Sequence, residues 1–177
     1  MKIIGMVFLI LVSFASSGIA QNSKAESENV AQLKDVLKTF MECLIKKDNE
    51  KFYSLFHEDP VVWIGIYKDK SQQRRVQQNS AVKDFKSGSY KNFYQNLSGK
   101  NVEEKFYNVV IEEDGYVASI TFDYSFWANG KKGNWGKESW GLIKTNGKWK
   151  ITSVIYSIEL ETVVKEPQRS QKKEQKS

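Results

Sequence analysis

The hydrophobic and polar positions along the chain change period once, from helical spacing in the first part to strand alternation in the last. After Asn29 the apolar residues recur at i, i+3, i+4 and i+7: Val30, Leu33, Val36, Leu37, Phe40, Met41, Leu44 and Ile45. This spacing predicts an amphipathic helix. A second, short helix is predicted over 50–57, with Asp48 or Asn49 as its cap and Pro60 as its end.

The remaining segments alternate as strands do. The segment 61–67, rich in β-branched and aromatic residues, predicts one strand, and 68–99 predicts a loop with one or two helices. Further strands are predicted over 103–112, 116–127, 135–144 and 149–158, with a glycine-rich loop at 129–134 and a tight turn at Asn146-Gly147. In 116–127 one face is predicted to point inward: Tyr116, Ala118, Ile120, Phe122, Tyr124 and Phe126. Helices followed by an antiparallel meander predict an α+β fold, with helices on one face of a bent sheet.

The length of 177 residues suits one domain, expected over 29–160. Residues 1–20 have the pattern of a secretory signal: Lys2, an apolar run over 3–14, and small residues ending in Gly18-Ile19-Ala20. We expect cleavage after Ala20, a secreted or periplasmic product and no transmembrane segment after cleavage; an uncleaved anchor is the alternative. A polar leader over 21–28 and a basic disordered tail over 161–177 complete the predicted organisation.

Charge and cysteine content narrow the classes of function. The net charge is +6, yet the segment 21–164 carries 21 basic and 19 acidic residues, so half of the excess lies in the short tail after residue 164. The chain has 24 Lys and three Arg, an unfavourable ratio for phosphate recognition, and we expect no nucleic-acid partner. Cys43 is the single cysteine and is predicted to be a buried, inert thiol. With one histidine and no CxxC or HxxxH spacing, no metal and no cofactor are expected.

Three stretches of this sequence resemble the nuclear transport factor 2-like superfamily, in its SnoaL-like branch. They are the turn Lys47-Asp48-Asn49-Glu50-Lys51-Phe52, the segment from Leu55-Phe56 through Asp59-Pro60 to Val61-Val62-Trp63, and the closing Gly136-Lys137-Glu138-Ser139-Trp140 with Asn146-Gly147-Lys148-Trp149-Lys150-Ile151. The resemblance spans about residues 29–160. It implies a curved antiparallel sheet wrapped around N-terminal helices, cone-shaped with a central cavity, and commonly a homodimer. The last strand carries no histidine, so no catalytic residue is transferred from the family.

Two residues are candidates for acid–base catalysis. Glu138 shares a strand face with Trp140 and Leu142, where burial among aromatic rings would raise its pKa and suit it to proton transfer. The alternative for Glu138 is a structural, hydrogen-bonded carboxylate or a rim-exposed one, which a lysine could pair with. His57, the only histidine, is a possible base with a useful pKa, or a cation at a helix end.

Five residues are candidates for binding a small, mostly apolar ligand: Trp63, Phe122, Tyr124, Trp140 and Ser153. We expect the cavity to lie between the first helix and the concave sheet. The sequence leaves three functions open: a binding module, an isomerase-, dehydratase- or cyclase-type enzyme that uses a cavity carboxylate, and a structural dimerising domain without ligand. Two or more titratable groups with separated pKa values in one cavity would favour the enzyme.

A homodimer is predicted through the outer face of the sheet. Trp149, Ile151 and Ile155 are expected to point inward on the last strand, which leaves an apolar outer set: Val154, Tyr156, Ile158 and the nearby Trp127.

Overall fold

The computed structural model describes residues 27–58 and 60–168; the predicted signal, most of the predicted leader and the end of the predicted tail lie outside them. The helices of the described part are α1 to α4, at Glu28–Lys46, Asn49–Ser54, Asp69–Gln78 and Tyr90–Gln95. Ser27 caps α1, because its Oγ accepts a hydrogen bond from Val30 N at 3.2 Å. Asp48 caps α2 in the same way through Lys51 N. Both predicted N-terminal helices are confirmed, although α2 ends at Ser54 and not at 57.

The strands of the described residues form one curved, unclosed sheet. They are β1 to β6, at Val62–Tyr67, Phe85–Ser87, Val102–Glu113, Val117–Ala128, Lys131–Thr145 and Lys148–Leu160, in the order β2-β1-β6-β5-β4-β3. β3 to β6 form the predicted antiparallel meander, whereas β1 pairs in parallel with β6 and antiparallel with β2. The α+β class with helices on a curved sheet is confirmed. Strand β2 was not predicted, because three residues are too few to show a period.

Two asparagine–glycine turns join the last strands. Asn146 and Gly147 have φ values of 49° and 72°, the left-handed pair that a two-residue hairpin requires. Asn129 and Gly130 form the other turn, with left-handed φ values of 51° and 73°. The predicted glycine-rich loop 129–134 is therefore wrong beyond Gly130, since β5 begins at Lys131.

A β-bulge in β6 determines which residues of that strand point inward. Gly141 of β5 pairs with Ser153, but the next residue, Leu142, pairs with Ile151, so Thr152 is an extra residue in β6. Side chains hold the bulge: Thr152 Oγ1 donates to Gly141 O at 3.0 Å, and Ser153 Oγ accepts from Gly141 N at 3.1 Å. A Cβ at position 141 would lie 2.6 Å from Ser153 Oγ, so this hydrogen bond requires glycine there.

The extra residue reverses the predicted orientation of β6 after Ile151. Ile155 is 50% exposed, whereas Val154 is fully buried and Ile158 nearly so. Tyr156 also lies on the inner face. The predicted outward set Val154, Tyr156 and Ile158 is therefore wrong, because a uniform two-residue period ignores the bulge. In β4 the predicted inward face is confirmed except at Tyr116, which is 76% exposed and precedes the strand.

Aromatic rings fill the space between α1 and the sheet. The ring of Phe40 in α1 lies 4.9 Å from Trp140 of β5 and 5.1 Å from Phe52 of α2. Phe122 of β4 packs edge-on against Trp140 at 5.3 Å. Cys43 is buried beside this cluster as predicted, and burial raises the pKa of its thiol. The helices are thus fixed to the sheet by large apolar contacts.

The described part of the predicted tail packs against the domain. Trp135 Nε1 donates to Val164 O at 2.9 Å, and Lys132 Nζ lies 2.6 Å from Glu166 Oε2. The disordered tail is therefore wrong for this first part, because β5 supplies it with partners.

We expect Gly136→Ala to destabilise the fold. A Cβ at this position would lie 2.0 Å from the backbone oxygen of Ser157, which cannot move without disturbing β6. Overpacking of this kind costs about 1–3 kcal/mol in the free energy of unfolding, measurable by urea denaturation. The matched control is Gly133→Ala in the same strand, where the nearest atom is 3.9 Å away. Equal stability of the two variants would contradict the close approach.

Candidate active site

A pocket of about 410 Å³ opens between the concave face of the sheet and the segment that carries β2 and α4. This volume is typical of small-molecule sites. From α1, which was expected to form the wall opposite the sheet, Phe40 lines the pocket, and most of the remaining wall comes from the segment that carries β2 and α4. The walls and mouth consist of Phe40, Trp63, Tyr67, Lys86, Ser87, Gly88, Ser89, Asn92, Phe93, Asn96, Leu97, Lys100, Phe126, Asn134, Ile158 and Leu160, and the floor of Glu104, Tyr124, Glu138 and Tyr156.

Two glutamates from different strands meet at the floor. Glu138 of β5 is 5% exposed and Glu104 of β3 is 6% exposed, and their side chains share a hydrogen bond. Trp140, two residues along β5 on the same face, donates its indole Nε1–H to Glu138 Oε1 at 2.5 Å. Glu138 is therefore buried and hydrogen-bonded to two side chains, and the lysine-paired alternative is wrong.

Burial raises the pKa of both carboxyl groups, and their interaction with each other separates the two values. Burial raises the pKa of Glu138 to about 7, although the hydrogen bonds from Trp140 and Glu104 act to lower it. Burial raises the pKa of Glu104 well above its usual range, and the charge of Glu138 and the shared hydrogen bond raise it further. Of the two, Glu104 therefore holds its proton more strongly and donates the hydrogen bond to Glu138, the better candidate for a base.

Two tyrosines flank the carboxyl pair. Tyr124 is committed to the backbone, because its Oη donates to Ser157 O at 2.9 Å. Burial raises the pKa of Tyr156 to about 12, so this phenol is neutral. Its ring lies beside the indole of Trp63, with centroids 6.3 Å apart, and a neutral phenol can donate its proton to a ligand in the pocket.

A glycine opposite Tyr156 makes room for its ring. Gly65 of β1 pairs with Tyr156 across the neighbouring strands. A Cβ at Gly65 would lie 2.4 Å from Cε2 of Tyr156. The phenol of Tyr156 thus lies over the backbone of β1, beside the indole of Trp63.

Three of the predicted site residues line the pocket, namely Glu138, Trp63 and Tyr124. Phe122 and Trp140 do not line it, because both are fully buried in the aromatic core.

Two other predicted site residues also lie elsewhere. Ser153 takes part in the β6 bulge, where its hydroxyl is bonded to Gly141 N. His57 follows α2 and its backbone N–H donates to Ile151 O at 3.0 Å; it is not among the lining residues. Neither Ser153 nor His57 lines the pocket, so the structure does not bring these two predicted residues together with Glu138.

Sequence reasoning missed Glu104, Tyr156 and the lysine of β2. Glu104 could have been predicted from the sequence, since it lies between Val102 and Phe106 at the two-residue period of an inward strand face. Tyr156 was missed because the bulge reverses its face, and Lys86 because β2 is too short to predict.

Comparisons with known proteins identify the fold. A scan against protein-family models finds no match, and neither does a search of curated proteins. Among solved structures, a nuclear transport factor 2-like protein of unknown function from Pseudomonas putida KT2440 aligns with a TM-score of 0.56 at 10% identity, over 82% of this chain and 99% of that one.

Two further solved structures align in the same way. A proposed dehydratase of the nuclear transport factor 2-like family from Streptomyces avermitilis gives a TM-score of 0.55 at 16% identity, over 75% of this chain and 96% of that one. A proposed scytalone dehydratase from Novosphingobium aromaticivorans gives a TM-score of 0.56 at 13% identity, over 75% of this chain and 85% of that one. The chain therefore has the nuclear transport factor 2-like fold, and the resemblance is confirmed for the architecture.

Membrane and metal features were also sought in the described residues. Each helix there is too short or too polar to span a membrane. Over the same part of the chain, His, Cys, Asp and Glu side chains form no group of three or more that could hold a metal ion.

We expect Glu138→Gln to be neutral or stabilising near pH 7. In the parent, the pKa of Glu138 is about 7 in the fold against 4.5 when unfolded, so stability is full in acid and falls as pH rises from about 4.5 to 7. The shift corresponds to about 3 kcal/mol at most. Gln keeps the shape and the acceptor for Trp140 but has no charge to bury.

Thermal melts of parent and variant from about pH 4 to 8 test this expectation. The advantage of the variant should grow with pH and then level off above the folded pKa. A variant less stable than the parent at neutral pH, with the difference closing in acid, would show that Glu138 is ion-paired and not a buried acid.

Proposed function

We propose that the pocket binds a small, mostly apolar molecule and that Glu138 exchanges a proton with it, in a reaction of the isomerase or dehydratase type. The observation that carries this proposal is the buried pair of Glu138 and Glu104 at the pocket floor. When the environments of two neighbouring carboxyl groups separate their pKa values, one group can act as an acid and the other as a base. Export of the mature chain, argued from residues 1–20, remains part of the proposal.

The chemistry follows from the two protonation states. With Glu104 protonated and hydrogen-bonded to it, the carboxylate of Glu138 is a base whose pKa matches neutral pH. It can take a proton from a carbon next to a carbonyl group. The electrons of that C–H bond move toward the carbonyl oxygen, where the phenol of Tyr156 can donate a hydrogen bond to the developing negative charge. Glu138 then returns the proton to another carbon, as in an isomerase, or to a departing hydroxyl group, as in a dehydratase.

The walls support an apolar substrate. Aromatic side chains from three elements face the space above the carboxyl pair: Trp63, Phe93 and Phe126. A purely structural domain whose interior is filled by its own side chains does not account for a pocket of about 410 Å³. A binding module without catalysis remains the rival function, because a buried carboxylate also binds a hydrogen-bond donor.

We expect the protein to catalyse the ring opening of 5-nitrobenzisoxazole, a probe that reports removal of one C–H proton by a base in an apolar site. The rate should rise with pH through about 7, the pKa of Glu138, and then level off. Glu138→Gln should lower the rate by about a hundredfold. The rate of ring opening is measured from the absorbance of the phenolate product.

The control variant is Glu112→Gln, an exposed carboxylate on β3, which should leave the rate unchanged. A parent protein no faster than Glu138→Gln would contradict a catalytic base and leave the binding module as the better function.

The outer face of the sheet supports the proposed homodimer, with a corrected set of residues. Val62, Ile64 and Ile66 of β1 pair with Ser153, Ile155 and Ser157 of β6. Val62 is 52% exposed, Ile66 46% and Ile155 50%, so these apolar side chains project from the convex face, where Ser153 and Ser157 are their small neighbours. A contiguous apolar face of this kind is typical of a protein–protein interface.

We expect light scattering to give the mass of a dimer, and Ile155→Lys to give that of a monomer, because the lysine would place a charge in the buried interface. Tyr116→Lys is the matched control, since Tyr116 is exposed at the end of a hairpin away from this face. A monomeric parent, or a dimeric Ile155→Lys variant, would overturn this interface.

A further inference from the structure

The charged side chains of the pocket are divided between its floor and its mouth. The carboxyl groups that line it, Glu104 and Glu138, are buried at the floor. The ammonium groups that line it belong to Lys86 and Lys100, and both residues are exposed. The pocket therefore has acidic groups inside and a positive rim.

Lys86 is placed at the rim by the pairing of the strands. One cross-strand row runs from Lys86 of β2 through Gly65 of β1 and Tyr156 of β6 to Glu138 of β5. Residues paired across a sheet share a face, so Lys86 lies on the inner face with the two floor residues. Three strand spacings separate Lys86 from Glu138, which is about 14 Å between their backbones.

Lys100 and Lys86 are both available to a ligand. Lys100 follows α4, and its Nζ donates one hydrogen bond to Asn96 O at 3.3 Å, which leaves further N–H donors. Within the described residues, no carboxylate or carbonyl oxygen accepts a hydrogen bond from Lys86. Three amide- or hydroxyl-bearing residues complete the rim beside them: Ser89, Asn92 and Asn96.

We propose that the ligand of this pocket is a small organic carboxylate, whose apolar body lies against the aromatic walls and whose anionic group is held at the mouth by Lys86 and Lys100. This inference rests on the proposed function, since it specifies the substrate class of the same pocket. The orientation follows from charge. A carboxylate at the floor would meet the ionised Glu138, whereas at the mouth it meets two ammonium groups. The uncharged, reacting end of the molecule is thereby directed toward Glu138.

Calorimetric titration with 2-naphthoate and 2-naphthamide, a pair of the same shape with and without charge, tests this inference. At about pH 8 and low salt, the carboxylate should bind the parent about fivefold more tightly than the amide, and added salt should reduce the difference. The double variant Lys86→Met, Lys100→Met should bind both compounds equally. The control Lys91→Met removes an exposed lysine of α4 that does not line the pocket, and should keep the preference.

Glu138→Gln provides the test of orientation. If the carboxylate lies at the mouth, this variant keeps the preference for naphthoate with little change. A large gain in naphthoate affinity in Glu138→Gln would place the anion at the floor and overturn the inference.

Failure of the inference is distinct from failure of the proposed function. If naphthamide binds the parent as tightly as naphthoate, the pocket accepts an apolar molecule but not this substrate class, and only the inference is overturned. If neither compound binds, the small-molecule pocket itself is contradicted and the inference is lost with it. A preference that survives in the double lysine variant would also overturn it.

Discussion

The bulge at Thr152 in β6 is the constraint on which both faces of the sheet depend. One extra residue moves Tyr156 to the concave face and Ile155 to the convex face. Without it, the phenol beside Glu138 would point to solvent and the pocket would lose its hydrogen-bond donor. The hydroxyl groups of Thr152 and Ser153 hold the bulge by bonding both backbone groups of Gly141. A local side-chain-to-backbone network thus determines the chemistry of a site several residues away.

Burying the two carboxyl groups is unfavourable because they lose hydration, and their hydrogen bonds offset this loss only in part. Trp140 donates to Glu138, and Glu104 shares its proton with Glu138, so neither carboxyl group is left without a partner. Both pKa values nevertheless remain raised, because two hydrogen bonds do not replace the hydration of a carboxylate. Strongly shifted pKa values of this kind cluster at functional sites.

Much of the fold could be predicted from the sequence, because it depends on local periods that one chain displays. The amphipathic pattern of α1, the alternation of β4 and the turn at Asn146-Gly147 all matched the structure. The candidate site was predicted only in part, because its floor combines strands distant in sequence. Glu138 was identified from its neighbour Trp140, but its partner Glu104 comes from β3, and pairing between distant strands is not visible in a single sequence. The inward position of Tyr156 depends on one inserted residue, which a regular period cannot indicate.

The two faces of the sheet are connected through the pairing of β1 with β6. Ile64 pairs with Ile155 and the next pair is Gly65 with Tyr156, so consecutive pairs project to opposite faces. The indole of Trp63 on β1 packs edge-on against the ring of Tyr156 on β6 with centroids 6.3 Å apart, and the distance between these strands therefore sets that contact. A partner that covers Ile64 and Ile155 would fix this distance from the outside. Association on the convex face and the geometry of the concave site would then depend on the same two strands.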